Sequence, residues 1–275
     1  MTYFATDFKN VDSAGEAERF AACLRLQQSL DFYRAYKLRT FELMRLRPGA
    51  SALEVGCGTG EDALALAWLV GAAGRVTAVD RSRALLAEAI DAAAAEGLAI
   101  RFEEADGRSL PFADSGFDAA RVDRTLQHIE SAERVVAEMA RVVRPGGRVV
   151  AMEPDWETFT VDAADRLLTR RLLNFWCDSF PSGWIGRQLE GCFAQAGLVD
   201  IEAQPETLVI REFDLADRIL DLERTARTAV EAGKADPATT ESWLRDQYQR
   251  DRAGRFFCSF TAFIVSGTKP EFSGE

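Results

Sequence analysis

The chain has 275 residues, 47% of them hydrophobic and 28% charged, which is typical of a globular protein built around one large core. Its formal net charge of −11 would repel a phosphate backbone, so we expect no nucleic-acid partner. The single histidine and the five cysteines, none of them spaced as Cys-x-x-Cys, argue against a zinc site, and we expect no bound metal.

Neither a membrane span nor a secretory signal is expected. The longest near-apolar run, Ala63–Ala73, is shorter than the roughly 20 residues that cross a bilayer. The N-terminus has no basic segment leading into an apolar one. With cysteines that suggest reduced thiols, these features favour a cytoplasmic protein without a membrane partner.

The predicted elements begin with a helical stretch over Glu16–Leu46, within an N-terminal helical segment of residues 1–47. In the core that follows, residues 48–155, short β-rich runs alternate with helical patterns, as in βαβ units around a parallel sheet. The predicted strands are Ser51–Val55, Arg75–Asp80, Ile100–Ala105, Phe117–Asp123 and Arg148–Glu153. The predicted helices include Glu61–Val70, residues 85–93 and residues 135–143, and a turn at Pro145-Gly146-Gly147 precedes the fifth strand.

The remainder of the chain adds helices that a minimal α/β sheet does not need. Two late strands are predicted at Val199–Ile210 and Phe256–Thr268. The predicted helices are Ala163–Asp178, residues 185–196, residues 215–230 and Pro237–Arg250. We assign residues 156–183 and 211–254 to helical cap insertions over the substrate, within a single domain of residues 1–275. Alternatively, these helices are decoration or form a contact in an oligomer such as a homodimer.

A glycine-rich loop follows the first strand. It reads Leu53-Glu54-Val55-Gly56-Cys57-Gly58-Thr59-Gly60 and leads into a helix whose N-terminus is electropositive. Glycine permits a sharp turn and lets a ligand contact the backbone. The spacing differs from the dinucleotide fingerprint, which requires glycine where this chain has Glu61. A carboxylate there would repel a pyrophosphate, so a nucleoside without phosphates, such as S-adenosylmethionine, fits better.

Acidic residues end the next two strands. Asp80 can accept hydrogen bonds from ribose hydroxyls, and Asp106, followed by Gly107, can accept one from the exocyclic amine of adenine. Asp80 is alternatively a helix N-cap, and Asp106 alternatively a turn residue.

The ordered set of motifs resembles the class I S-adenosylmethionine-dependent methyltransferases, in particular the small-molecule group that includes the ubiquinone and menaquinone biosynthesis enzymes. The resemblance is strongest over residues 30–155. It includes Phe117-Asp118-Ala119-Ala120, Leu126-Gln127-His128-Ile129 and the Arg141–Gly147 stretch. It implies an α/β, Rossmann-like, mostly parallel sheet of seven strands, the last antiparallel, with N-terminal helices and helical caps.

The resemblance also implies roles for individual residues. Glu54, Gly56, Gly58 and Gly60 would surround the methionine part of the cofactor, while Asp80 would bind ribose and Asp106 adenine. Further cofactor-binding candidates are Tyr36 on the N-terminal helix, Arg81, Gly107, Asp123 and Arg124. A tyrosine of that helix, Tyr33 or Tyr36, would close over the methionine end, unless both are only packing residues.

The acceptor is expected to be a small, apolar or aromatic molecule, because six aromatic residues crowd one cap segment: Trp156, Phe159, Phe175, Trp176, Phe180 and Trp184. If the acceptor loses a proton, His128 is the candidate base and Glu153 the second, with Asp155 also near. Alternatively, His128 only frames the cofactor and the acids cap a helix. The alternative functions are a non-methylating, cyclase-like enzyme and a cofactor-binding regulatory subunit.

Overall fold

The structure is a computed structural model, and it describes residues 11–14 and 17–271. Ahead of the sheet, this part of the chain forms α1 (Val11–Ala14), α2 (Ala17–Gln28) and α3 (Asp31–Leu43). The predicted N-terminal helical stretch is therefore divided, with the extended residue Leu30 just before α3. Its predicted first residue, Glu16, lies outside the described residues.

The chain forms a seven-stranded sheet in the order β3-β2-β1-β4-β5-β7-β6. The strands are β1 (Ser51–Val55), β2 (Arg75–Asp80), β3 (Ile100–Glu104), β4 (Phe117–Asp123), β5 (Val143–Val161), β6 (Val199–Ile210) and β7 (Cys258–Thr268). The first five are joined in parallel, and β7 runs antiparallel to both of its neighbours, β5 and β6. The predicted fold class is confirmed.

Helices cover both faces of the sheet, because alternate residues of a strand point to opposite sides. On β1, Ala52 belongs to one buried apolar cluster and Leu53 to another. The Ala52 cluster includes α3, α4 (Glu61–Val70), α7 (Arg166–Asp178) and α9 (Phe213–Leu220), and the Leu53 cluster includes α6 (Ala132–Val142) and α8 (Ile185–Gln195). The other helices are α5 (Arg83–Ala95), α10 (Leu222–Glu231) and α11 (Pro237–Arg252), and Leu126–His128 forms a 3-10 turn after β4.

Strand β5 is longer than predicted and corrects the boundary of the first cap insertion. It continues to Val161, and Thr160 and Val161 pair with Ser259 and Cys258 of β7 after an irregularity in the register. Residues 156–161 are thus strand and not helix, because this stretch is rich in the aromatic and β-branched side chains that pleated sheets favour. Helix α7 begins only at Arg166, where the Asp165 side chain caps it.

Within the described ranges, no helix is long and apolar enough to cross a membrane.

Candidate active site

A cavity of about 320 Å³ lies at the carboxyl ends of the central parallel strands, where α/β sheets bind ligands. The residues that line the cavity are polar on one side of the sheet and apolar or aromatic on the other. On the β1–β2 side, the polar end includes Gly56, Gly58, Asp80, Arg81, Ser82 and Gly107. On the β5–β7 side, the aromatic end consists of Met152, Pro154, Trp156, Trp176, Phe180, Ile219, Leu220 and Phe260. Helices α1 and α2 supply a third wall with Val11, Asp12, Cys23, Leu24, Gln27 and Gln28.

The glycine loop is held in place by the neighbouring strand. The amides of Gly56 and Cys57 donate to the carbonyl of Val79 at 2.8 and 3.0 Å. Gly56 has a φ of +74°, and a β-carbon there would lie 2.1 Å from Oγ1 of Thr125. A side chain therefore fits neither the backbone conformation nor the space, so this position requires glycine.

Gly58 and Gly60 serve different purposes. Gly58 lines the cavity, and its amide donates to Oδ2 of Asp80 at 2.9 Å. Gly60 is not among the lining residues; a β-carbon there would lie 2.7 Å from that of Ala89. Gly60 thus allows α4 and α5 to pack closely, and its role in cofactor binding stays a prediction.

Asp80, the predicted ribose ligand, lies in the cavity wall. Its carboxylate also accepts from the amide of Ser82 at 2.9 Å, and burial raises its pKa despite these two backbone hydrogen bonds. Arg81 and Gly107 line the cavity beside it. Asp80 thus fixes the glycine loop while its carboxylate borders the space for a ligand.

Asp106, the predicted adenine ligand, forms an ion pair with Arg108. Nε and Nη2 of Arg108 donate to its two oxygens at 3.0 and 2.7 Å, and this contact lowers the pKa of Asp106 to about 2. The cavity is lined instead by the residues on either side, Ala105 and Gly107. Asp106 itself is not among the lining residues, and its contact with adenine stays a prediction.

Glu54 is buried at the floor of the cavity. Its Oε1 accepts a hydrogen bond from Nη1 of Arg121 at 2.5 Å, while its Oε2 has no hydrogen-bond partner. Burial raises the pKa of Glu54 to about 8, against the opposing effect of Arg121. An unpartnered buried oxygen is costly unless a ligand satisfies it.

Three charged residues that the sequence analysis missed, Lys37, Asp62 and Arg121, lie around Glu54. Arg121, in the middle of β4, also donates to Asp62 and Asp123, each at 3.0 Å, and Lys37 of α3 donates to Asp62 at 2.7 and 2.8 Å. Burial opposes the ionisation of Asp62, but Lys37 and then Arg121 hold its pKa below the ordinary value. The sequence does contain a signal for this cluster. Arg121 is a charged residue inside an otherwise apolar central strand, where charges are rarely buried unless they are paired.

Of the two tyrosines on α3, the cavity is lined by Tyr33 and not by the predicted Tyr36. The Tyr36 hydroxyl is buried and donates to Asp123, 3.2 Å from each carboxylate oxygen. The Arg124 guanidinium lies 4.8 Å from the centre of the Tyr33 ring and also contacts Gln27. Asp123 and Arg124, two further predicted cofactor-binding residues, both line the cavity.

Of the predicted bases, His128 lines the cavity, but Glu153 and Asp155 do not. Glu153 is fully buried and accepts from the amides of Thr125 and Leu126 at 2.7 and 2.6 Å. Asp155 is paired with Arg187. Glu153 therefore anchors the loop after β4 and is not placed to take a proton from an acceptor.

The aromatic end contains three of the six predicted aromatic residues. The Trp156 and Phe180 rings stack with centroids 5.3 Å apart, and Trp176 meets each of them edge to face. Phe260, which the sequence analysis missed, lies 4.8 Å from Trp156. Phe159 and Phe175 are absent from the cavity wall, as is Trp184, whose side chain is 47% exposed.

The polar end and the cavity floor suit S-adenosylmethionine. The free oxygen of Glu54 is an acceptor for an ammonium group, and the guanidinium of Arg124 is a donor for a carboxylate. Around them, three carboxylates (Glu54, Asp62, Asp123) face three cations (Lys37, Arg121, Arg124), which is a balance that suits the zwitterionic methionine part. The carboxylate of Asp80 is of the kind that accepts hydrogen bonds from ribose hydroxyls, and this role stays a prediction.

Comparisons with known proteins agree with this geometry. The family described as a methyltransferase domain matches residues 52–147. An uncharacterized 37.1 kDa protein in transposon TN4556 of Streptomyces fradiae is 37% identical, over 86% of this chain and 67% of that protein. A demethylmenaquinone methyltransferase of Bacillus cytotoxicus is 28% identical, over 68% of this chain and 86% of that protein.

Among solved structures, the YcgJ protein of Bacillus subtilis has the same fold, with a TM-score of 0.60, 20% identity and coverage of 86% of this chain and 99% of that one. The sheet order, the domain match and the methyltransferase relatives confirm the predicted resemblance and the cofactor, S-adenosylmethionine. The chain belongs to the class I S-adenosylmethionine-dependent methyltransferases.

Proposed function

We propose that this methyltransferase acts on a small, apolar or aromatic acceptor that occupies the aromatic end of the cavity. The observation that carries the proposal is the composition of the wall: every lining residue C-terminal to Ile129 is uncharged and apolar. An acceptor with a phosphate or carboxylate would leave its charge unpaired there, which is costly in a buried site. A flat apolar molecule would pack against the Trp156, Phe180 and Phe260 rings.

The polar end would hold the cofactor. The backbone of Gly56 and Gly58, the carboxylates of Glu54 and Asp80, and the guanidinium of Arg124 are the groups we assign to it. When bound, the cofactor supplies a methyl group on a sulfonium leaving group. The protein's contribution is to align the acceptor with that methyl and to exclude water, because orientation lowers the barrier of a transfer between two bound partners.

We assign the cap function to α7 and to the helices from α9 to α11, and in particular to α7 and α9. Trp176 comes from α7, and Ile219 and Leu220 from α9, so these helices supply a wall that the sheet lacks. The cap is also tied to the loop that carries His128, because Ser182 donates from its hydroxyl to the carbonyl of Ile129 at 2.8 Å. Substrate contact and loop position are thereby linked.

His128 is the base that we propose for an acceptor that must lose a proton. It is the one predicted base in the cavity wall, and its ring lies 5.6 Å from that of Phe180, at the aromatic end. An imidazole has an unperturbed pKa of about 6.5, close to the operating pH. Glu153 would support it indirectly, by fixing the loop through the amides of Thr125 and Leu126.

The test is an acceptor screen with purified protein and S-adenosylmethionine. Neutral phenols and other hydroxylated aromatic compounds form one set, and amino acids and phosphate monoesters of similar size form the other. We expect a mass gain of one CH₂ and equimolar S-adenosylhomocysteine with members of the neutral set only. Methylation confined to the charged set would overturn the acceptor class. Loss of an acceptor without S-adenosylhomocysteine would instead indicate the cyclase-like alternative.

Localisation in the cytoplasm, a homodimer and the lack of a nucleic-acid partner stay predictions.

A further inference from the structure

A guanidinium lies in the centre of the sheet, where the chain could have placed an apolar residue. Arg121 is the fifth residue of β4, pairs in register with Glu54 of β1 and Val150 of β5, and has no exposed surface. Its neighbours on the strand, Ala119, Ala120 and Val122, are all buried and apolar. Burying a charge is costly unless its partners are well placed, so its contacts indicate what it is for.

The contacts of Arg121 converge on the cavity floor from four elements. Nη1 donates to Glu54 of β1 and to Asp62 of α4, Nη2 donates to Asp123 at the end of β4, and Nε donates to the hydroxyl of Thr40 on α3 at 2.8 Å. The guanidinium also packs 4.9 Å from the centre of the Phe41 ring. Such a planar group can bridge several acceptors at fixed angles, which a lysine cannot do.

These contacts leave one group at the floor unsatisfied. The two oxygens of Asp62 each accept from Lys37, and Asp123 accepts from Tyr36 and Arg121. Glu54 alone of the three carboxylates has an oxygen, Oε2, without a partner, although the residue is only 1% exposed and lines the cavity. The other oxygen, Oε1, is held by Arg121, which fixes the rotamer of the side chain.

We propose that Arg121 is a positioning residue: by holding Oε1 of Glu54, it keeps Oε2 directed into the cavity as the acceptor for the ammonium group of S-adenosylmethionine. Arg121 itself does not line the cavity, so in this proposal it acts through Glu54 and not by contact with the cofactor. Without it, the Glu54 carboxylate would lose both its fixed orientation and the adjacent positive charge that favours its ionised form.

The test compares the dissociation constants of S-adenosylhomocysteine and of its analogue with hydrogen in place of the amino group, both measured by calorimetry. The wild-type protein should prefer the first ligand by roughly tenfold or more, because a hydrogen bond to a charged group contributes that much. In Glu54→Gln the ratio of the two dissociation constants should approach one, while the affinity for the analogue stays at its wild-type value.

The arginine variants separate positioning from general stability. Arg121→Met should lose the preference for the ligand that carries the amino group. Arg121→Lys retains the charge but cannot bridge the carboxylates, so the logarithm of its preference should fall to half of the wild-type value or less. The matched control is Arg144→Met, which breaks an exposed ion pair with Asp118 near the start of β4 and should leave the preference unchanged.

Equal weakening of both ligands in folded Arg121→Met would show a structural role and overturn the proposal. If Arg121→Met does not fold, the result for Arg121→Lys decides. If Arg121→Lys keeps the wild-type preference between the two ligands while Glu54→Gln has a reduced one, the proposed role of Arg121 is overturned. A wild-type preference in Glu54→Gln overturns the ammonium contact itself.

Discussion

Adding a single methyl group at Gly56 should show whether the glycine loop serves cofactor binding or only the stability of the fold. We expect Gly56→Ala to weaken the binding of S-adenosylhomocysteine strongly. An added β-carbon would lie 2.1, 2.4 and 2.8 Å from Oγ1, Cγ2 and Cβ of Thr125, and the backbone φ of +74° disfavours any L side chain. Rotation of the Thr125 side chain cannot relieve all three contacts, and Glu153 holds its amide.

The magnitude follows from two costs. A left-handed conformation costs an L residue about 1–2 kcal/mol, and inserting a methyl into a packed site costs about 1–3 kcal/mol. The sum, about 2–5 kcal/mol, would appear as reduced affinity if the loop moves away from its position under the cofactor, which corresponds to roughly 30-fold or more. Otherwise it would appear as a lower melting temperature.

Two further variants distinguish these costs, with calorimetry and thermal melting as the assays. Thr125→Gly in the Gly56→Ala background removes every atom of the clash and should restore a large part of the affinity. Gly97→Ala adds the same methyl at a φ of +66° with no atom within 4 Å, so it should lower stability modestly and leave affinity unchanged. Wild-type affinity in Gly56→Ala, or no recovery in the double variant, would refute the reasoning.

Four other expectations follow from the site. Asp80→Ala should weaken S-adenosylhomocysteine binding about tenfold or more in calorimetry, because charged hydrogen bonds contribute roughly 1.5–3 kcal/mol each; unchanged affinity would remove Asp80 from the site. Trp176→Leu should raise the KM for the acceptor more than the cofactor Kd, whereas Trp184→Leu, outside the cavity, should change neither; equal effects of the two would contradict the assigned wall. For an acceptor that loses a proton, His128→Ala and His128→Gln should both slow single-turnover methylation by roughly 10²–10⁴-fold, and a Gln variant with a native rate would exclude the base role. Burial raises the pKa of Glu153 to about 8, so folding takes up a proton between the unfolded value, about 4.3, and 8; wild-type stability should therefore fall relative to Glu153→Gln as pH rises through this window in denaturant titrations, and a difference independent of pH would contradict it.

Much of the fold was predictable because its signals are local. The bounds of β1, β2, β4, α4 and β6 agree with the alternating apolar runs and helical stripes, since each pattern reflects a single element's own burial. The end of β5 was not predictable in this way. Residues 156–161 have strand-forming side chains, but whether they extend the sheet depends on β7, almost 100 residues later, which pairs with Thr160 and Val161.

The site, too, has features that the local sequence specifies and features that only the tertiary structure specifies. The glycine loop and the acid at the end of β2 belong to short motifs whose geometry a few neighbouring residues specify, and Gly56, Gly58 and Asp80 do line the cavity. The choice between Tyr33 and Tyr36 depends on how α3 is rotated against the sheet, and three residues along a helix are close to one turn, so the sequence does not separate them.

The burial of the charged side chains depends on partners that are distant in the chain. Glu153 reads as a candidate base near the acceptor, yet it is buried and accepts from the backbone amides of the loop after β4. Arg121 reads as an anomaly in β4, and only the convergence of β1, α3 and α4 around it supplies the carboxylates and the hydroxyl that make its burial tolerable.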